Sequence, residues 1–284
     1  MIVPDGVAGL VGELLPLVRR FSRGEYAIAL GGAHAKGSAD TESDLDLYLF
    51  ANSVLPTEER TRMVTAFSPE VTGAYSWQDG AETGTDFYFR GTRVEVWLRN
   101  ADHIERTIAE CQQGTVRRQF VTWTTTGFYN HCALSDVSVM VPLEDSFGII
   151  ARWKAQLSVY PPKLREAIIE QHLGAARFWP GNFHYRSAVE RGDVIYATGI
   201  VQQVVHNVIQ VLFALNERYF PGDKHLGAAL DHLPWQPADL RRRVESLLWP
   251  SVPATGETLR AQAETLRSLL RDVERAAAGP GRSA

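Results

Sequence analysis

The stretch from Ser43 to Phe50, SDLDLYLF, sets leucines against acidic and aromatic residues at a period of two. In a β-strand that period sends Leu45, Leu47 and Leu49 to one face and Asp44, Asp46 and Tyr48 to the other. The leucine face calls for a core. The two aspartates then stand beside that core, where charge is costly unless something pairs with it. A metal ion, a buried basic partner or coincidence would each account for them.

The flanking sequence narrows the choice. Upstream, YAIALGG reads as a short buried strand stopped by Gly31 and Gly32. Absent side chains at such a point let backbone amides approach a phosphate. Lys36, Gly37, Ser38 and Ser43 add a cation, a flexible turn and two hydroxyls to the same loop. Downstream, GTDFYFRGTRVEVWLRN reads as a hairpin turning around Arg90-Gly91-Thr92. On its second arm Val94, Val96 and Leu98 face one way, and Glu95 with Trp97 the other. Glu95 therefore repeats the anomaly of Asp44 and Asp46, with Asp86 on the first arm as its competitor.

Asp44 and Asp46 lie ~7 Å apart along a strand and leave the same face, so both carboxylates can converge on shared cations. Two Mg²⁺ ions ~3.5–4 Å apart, held by carboxylates and substrate phosphates, form the clamp used for in-line displacement at phosphorus. Such a clamp wants a third acid from a neighbouring strand, and Glu95 supplies one.

Beyond this stretch the chain changes character near its middle. Val7–Phe21 has helical spacing with Asp5 as N-cap, PTEERTRMVTAF and Asp102–Gln119 read as helices, and short β-prone pieces run to about Val141. After the connector PLEDSFG, helices are expected over Ile149–Leu157, Lys163–Phe178, Asp193–Phe220, Pro237–Leu248 and Thr255–Ala278. The expected architecture is an α+β domain over 1–141, a mixed sheet with flanking helices. An all-α helical-bundle domain over 142–278 would bind substrate, and 279–284 would be a disordered tail. At 284 residues the chain has material for both cores.

Leu30-Gly31-Gly32, eleven further residues and then Asp44-Leu45-Asp46-Leu47 resemble the signature of the nucleotidyltransferase (DNA polymerase β-like) superfamily. The two-domain layout is similar to that of the aminoglycoside and other antibiotic nucleotidyltransferases. Only residues 30–50 and 93–98 carry the resemblance at the level of motifs. It implies Mg²⁺ on Asp44 and Asp46, with Glu95 as third ligand or general base. ATP or another NTP would then be held at Gly31, Gly32, Lys36, Ser38 and Ser43. The helical domain would add Lys224 to the triphosphate. From the residues alone, Trp123 is a candidate for pocket lining and Asp193, at a helix start, for a substrate-facing role beside Glu95. The family's Gly-Ser pair appears here as Gly31-Gly32, which removes a hydroxyl that Ser38 or Ser43 would have to replace. The implied reaction is NMP transfer to a small-molecule hydroxyl, with antibiotic resistance as one role. A degenerate, purely binding domain and an AMP transferase acting on protein or RNA remain as alternatives.

Blander readings compete at several positions. Asp193 suits a helix N-cap, Lys36 a solvated loop, and His206 a structural role. Glu144 and Asp145 suit a connector. Tyr129, Trp153 and Trp179 serve either as pocket lining or as core. An EF-hand is excluded because its glycine and closing glutamate are missing. A P-loop starting at Gly32 fails because Ser38 occupies the lysine position and Ala39 the hydroxyl position. A net charge of −4 leaves no polyelectrolyte footprint and argues against a polynucleotide acceptor, although 29 lysines and arginines leave room for a local basic groove. Two cysteines suit a reducing compartment. The first residues lack the features of a signal peptide, and no run looks long enough to span a bilayer, so a cytoplasmic protein with no membrane partner is expected. Oligomeric state is left open.

Overall fold

The strand expected from the leucine alternation forms as β2 (Leu45–Ala51), with Leu45, Leu47 and Leu49 fully buried on one face. On the opposite face Tyr48 and Phe50 are buried as well. Phe50 meets Trp153 edge-on at 5.1 Å, so this face is also covered toward the end of the strand. Asp46 and the residue leading into the strand, Asp44, stay half-buried. The structure, a computed structural model, describes residues 3–79, 82–122, 124–250 and 252–279.

The chain forms two compact units, Met1–Ala109 with Ala133–Val159, and Glu110–Cys132 with Tyr160–Ala284. The first holds a mixed sheet in the order β3-β4-β5-β2-β1-β8. Its strands are β1 (Tyr26–Leu30), β2, β3 (Val71–Asp79), β4 (Glu82–Phe89), β5 (Thr92–Arg99) and β8 (Val141–Glu144). β2 runs parallel to β5 and antiparallel to β1, and every other pairing is antiparallel. The hairpin turn between β4 and β5 is a two-residue loop. Arg90 and Gly91 both have positive φ, 51° and 80°, which matches the twist of the paired strands. α1 (Asp5–Val18) buries Val7, Val11, Leu14, Leu17 and Val18 against the leucine and valine face of the sheet. Asp5 lies in the first turn of α1 and the N-cap position is Pro4, because the helix starts two residues before the apolar repeat.

The same unit contains α2 (Gly32–Lys36), α3 (Thr57–Thr65), most of α4 (Ala101–Gln112) and α5 (Cys132–Val139), and α6 (Ile149–Gln156). Several of its elements run against the sequence reading. Within the stretch expected as β-prone pieces up to about Val141, residues 132–139 form helix α5, and the loop after β1 opens with the short helix α2. Residues 142–144, expected to open a connector, join Val141 in edge strand β8 on β1, where Pro142 needs no ladder donor. The polar stretch 71–79, assigned to no element, becomes edge strand β3 through its pairing with β4. The helix expected to reach Gln119 stops at Gln112, where Gly114 takes φ +83°. Because β8 and Trp153 return to the sheet, the division between units does not fall at 141/142.

The second unit contains the short strands β6 (Arg118–Gln119) and β7 (Phe128–Tyr129). Its helices are α7 (Pro162–Phe178), α8 (Phe183–Arg191), α9 (Val194–Leu215), α10 (Leu226–Asp231), α11 (Leu240–Leu248) and α12 (Gly256–Ala278). α7, α8, α11 and α12 all pack on α9, whose side chains are buried almost continuously from Val204 to Ala214. By length and a mean hydropathy of 1.3 over its most apolar window α9 could cross a bilayer, contrary to the sequence reading. Yet 72% of that window is buried inside the protein, as the core of this unit. Helices α8 and α10 were not expected. α9 also ends at Leu215, short of the predicted Phe220. Of the tail 279–284, only Gly279 falls within the described residues.

Candidate metal centre

The parallel pairing of β2 with β5 decides the geometry of the acids. Asp46 and Glu95 are direct partners in that register, on adjacent strands and on one face. Asp44 lies two residues earlier on the same side. One carboxylate oxygen from each of Asp44, Asp46 and Glu95 lies within 4.8 Å of the others, and all three residues are half-buried. An all-oxygen, carboxylate donor set of this kind suits a hard divalent cation such as Mg²⁺.

The glycine pair is built against this cluster. The Gly31 amide donates to the Asp46 carbonyl at 2.9 Å, and a Cβ at Gly31 would lie 2.2 Å from the Tyr48 ring. A Cβ at Gly32, which has φ +58°, would lie 1.7 Å from Asp46 Oδ2. Serine in place of Gly32 would therefore push against the Asp46 carboxylate, which accounts for Gly-Gly here. The loop after the glycines is a single helical turn, α2, ended by Gly37 at φ +70°, with the Ser38 amide donating back to the Ala33 carbonyl.

The other predicted phosphate ligands are placed less directly. Lys36 and Ser38 are exposed. The Ser43 hydroxyl donates to Asp40 Oδ1 and accepts from the Asp40 amide, both at 2.9 Å, so it braces its own loop.

Asp86 and Glu95 stand directly opposite each other on β4 and β5. Asp86 lies outside the acidic triad, with both oxygens occupied by neutral donors. Tyr75 Oη donates to Oδ2 at 2.8 Å and Trp77 Nε1 to Oδ1 at 3.2 Å. Glu95 takes a cation instead. Arg93 Nη2 sits 2.6 Å from Glu95 Oε1 and 4.0 Å from Asp86 Oδ2. Partial burial pulls the Arg93 guanidinium down, but the carboxylates of Glu95 and Asp86, with Tyr75 and Asp44, outweigh it and leave it raised. Arg93 was missed at the sequence level although the alternation that exposes Glu95 places it two residues earlier on the same face.

Farther along this face the sheet is closed by stacked groups. The Arg99 guanidinium lies 4.8 Å from the Tyr48 ring centroid and pairs with Asp136 at 3.1 Å and Glu82 at 3.6 Å. Burial, then Asp136, drives the Tyr48 phenol well up, so it stays neutral.

The remaining predicted residues belong to the second unit. Asp193 caps α9, its Oδ1 accepting from the Tyr196 amide at 3.2 Å, as the blander reading expected. Lys224 is exposed in the turn before α10. Its neighbour Asp223 accepts four hydrogen bonds, at 2.6–3.1 Å, from the amides and hydroxyls of Thr125 and Thr126. Burial raises the Asp223 carboxyl, but these bonds prevail and hold it below its usual range. Trp123 lies outside the described residues. Tyr129 and Trp153 are core residues, and Trp179 is half-buried with Nε1 donating to Gln203 at 3.1 Å. His206 accepts or donates at Nε2 to Tyr129 Oη at 2.9 Å, and His131 and His172 are bonded to Gln210 and Asn207. These histidines are structural, in keeping with the expectation for His206.

Residues 131–226 match a family described as a domain of unknown function (DUF4037). No curated protein matches the chain. Among 21 matching chains of solved structures is the crystal structure of a nucleotidyltransferase-like protein from Exiguobacterium sibiricum 255-15. It is 12% identical, aligned over 96% of this chain and 76% of that chain with a TM-score of 0.45. At that degree of likeness the acids and their surroundings carry the functional reading.

Proposed function

We propose that this chain is a Mg²⁺-dependent nucleotidyltransferase that moves an NMP, AMP from ATP, to the hydroxyl of a small molecule and releases pyrophosphate. One observation carries the reading. Asp44, Asp46 and Glu95, from two parallel strands, bring oxygens within 4.8 Å of one another beside a glycine that the Asp46 carboxylate requires. These three residues would hold the metal. When bound, Mg²⁺ supplies charge neutralisation at the phosphates and a template for in-line displacement.

The protein's own part is positioning. Gly31 and Gly32 keep side chains away from Asp46 and leave the backbone open to a polyphosphate. The acceptor hydroxyl gives its proton to a carboxylate, Glu95 or another acid nearby, and its oxygen attacks the α-phosphorus; the α–β phosphoanhydride bond breaks and pyrophosphate leaves. Lys224 is assigned to the nucleotide as the family resemblance implies, Lys36 and Ser38 as the cation and hydroxyl of the loop after the glycines, and Asp193 and Trp123 to the acceptor. An acidic face flanked by Tyr75 and Trp77 suits a cationic acceptor, an aminoglycoside-like antibiotic among them. The absence of a basic excess disfavours a polynucleotide. Antibiotic resistance is one role that such an acceptor would give the protein.

The test is pyrophosphate release with each NTP against aminoglycosides, lincosamides and tRNA. Asp44→Asn and Asp46→Asn should each abolish transfer and leave the thermal transition in place. Full turnover in either variant would refute the assignment. A second reading, nucleotide binding without transfer, is favoured by the arginine already seated on Glu95. ATP binding that calorimetry finds independent of Mg²⁺, with no pyrophosphate from any acceptor, would select it.

A further inference from the structure

The ion pair on Glu95 has a physical origin. Asp86 and Glu95 face each other across neighbouring strands, an arrangement that like charges destabilise. Asp86 cannot turn aside, because Tyr75 and Trp77 hold both its oxygens. Asp44 and Asp46 add their charges on the other side of Glu95. Four carboxylates therefore share this patch, and the Arg93 guanidinium reaches into it, with its nearest nitrogen 2.6 Å from Glu95. The arginine's placement is not that of a buried structural ion. Its side chain is 47% exposed, and one end of its fork faces a carboxylate that a metal would need. A guanidinium pairs equally well with phosphate oxygens, in the same planar, two-pronged geometry.

We propose that Arg93 is a displaceable counter-ion of the metal centre. It holds Glu95 while no metal is bound, yields that carboxylate when a divalent ion enters, and turns its fork to the polyphosphate that arrives with the ion. The inference rests on Asp44, Asp46 and Glu95 being metal ligands. No covalent step is involved; one cation replaces another on Glu95. The device keeps the acidic patch folded in the absence of metal and makes nucleotide and metal binding mutually supportive.

The experiment is a Mn²⁺ titration followed by electron paramagnetic resonance, without nucleotide, on the wild-type chain, Arg93→Met, Arg93→Lys and Asp46→Asn. Removing a positive charge a few ångströms from a divalent ion in a half-exposed site should tighten Mn²⁺ binding on the order of tenfold in Arg93→Met. Arg93→Lys should stay near wild type, since the charge remains. Calorimetry with ATP and Mg²⁺ should show the opposite order: nucleotide binding weakened in Arg93→Met and partly recovered in Arg93→Lys. A merely structural arginine would give looser Mn²⁺ binding when removed, because Glu95 would lose its support. Weaker or unchanged Mn²⁺ affinity in Arg93→Met, with wild-type binding intact and lost in Asp46→Asn, overturns the counter-ion role alone. Should Arg93→Met fail to fold, Arg93→Gln carries the same comparison. If the wild-type chain takes up no Mn²⁺, the metal assignment falls, and the role of Arg93 with it.

Discussion

Gly32 and Gly37 offer a matched pair of substitutions that separates backbone strain from damage to the acidic cluster. Both have left-handed φ values, +58° and +70°, so alanine at either position costs about 1–2 kcal/mol of stability through the backbone alone. Their surroundings differ. A Cβ on Gly37 meets nothing within 4 Å, whereas one on Gly32 would lie 1.7 Å from Asp46 Oδ2. Since Cβ contacts under 3.0 Å essentially never occur, the carboxylate would have to retreat by at least about 1.3 Å (3.0 − 1.7). Magnesium–oxygen bonds are ~2.0–2.1 Å and tolerate little distortion, so a retreat of that size removes a ligand. Misplacing a reacting group by ~1 Å also costs on the order of 100-fold in rate. Gly32→Ala and Gly37→Ala should thus lose similar thermal stability. Gly32→Ala alone should lose Mn²⁺ affinity and pyrophosphate release, by about 100-fold or more. Equal metal affinity in the two variants would show that the contact between Gly32 and Asp46 does not matter to the site.

Acid sensitivity should come from the second unit. Burial lowers His131 and His206 from 6.5 to about 4, so the folded state binds fewer protons than the unfolded one between those values. Stability is therefore full above about pH 6.5 and falls as pH drops toward 4. Each buried ring costs on the order of 3 kcal/mol at most, since its folded-state pKa is lowered from 6.5 to about 4. Melting temperatures from pH 7.5 to 4.5 should show this decline, and His206→Gln should flatten it; a wild-type curve that stays level to pH 5 contradicts the assignment. Asp193→Ala should cost roughly 1 kcal/mol as a lost N-cap, and an unchanged acceptor KM would remove Asp193 from the substrate site. Trp153→Ala should destabilise the first unit by about 3–5 kcal/mol, since the indole is fully buried against Phe50; a denaturant midpoint close to wild type would show that the pocket refills.

Much of the site was legible because strand alternation is a local property. A period of two places Asp44 and Asp46 on one face and Glu95 on the polar face of its own strand, whatever the rest of the chain does. Most helices of the second unit, α8 and α10 excepted, were legible for the same reason, through apolar spacing and proline breaks. Segments whose structure comes from a distant partner were not. The polar stretch 71–79 becomes a strand only by pairing with β4, and 141–144 only by pairing with β1.

The sequence by itself determined that this chain carries acids on the faces of two apolar strands, a glycine pair before them and a helical second half. Tertiary structure decided that β2 and β5 lie side by side, parallel, with Asp46 opposite Glu95. It also decided that Asp86 is held by a tyrosine and a tryptophan while Arg93 goes to Glu95. The physical reason is range. Alternation is written into adjacent residues, whereas register and charge pairing depend on which strands meet, and a slip of one residue would turn every acid here to the other face of the sheet.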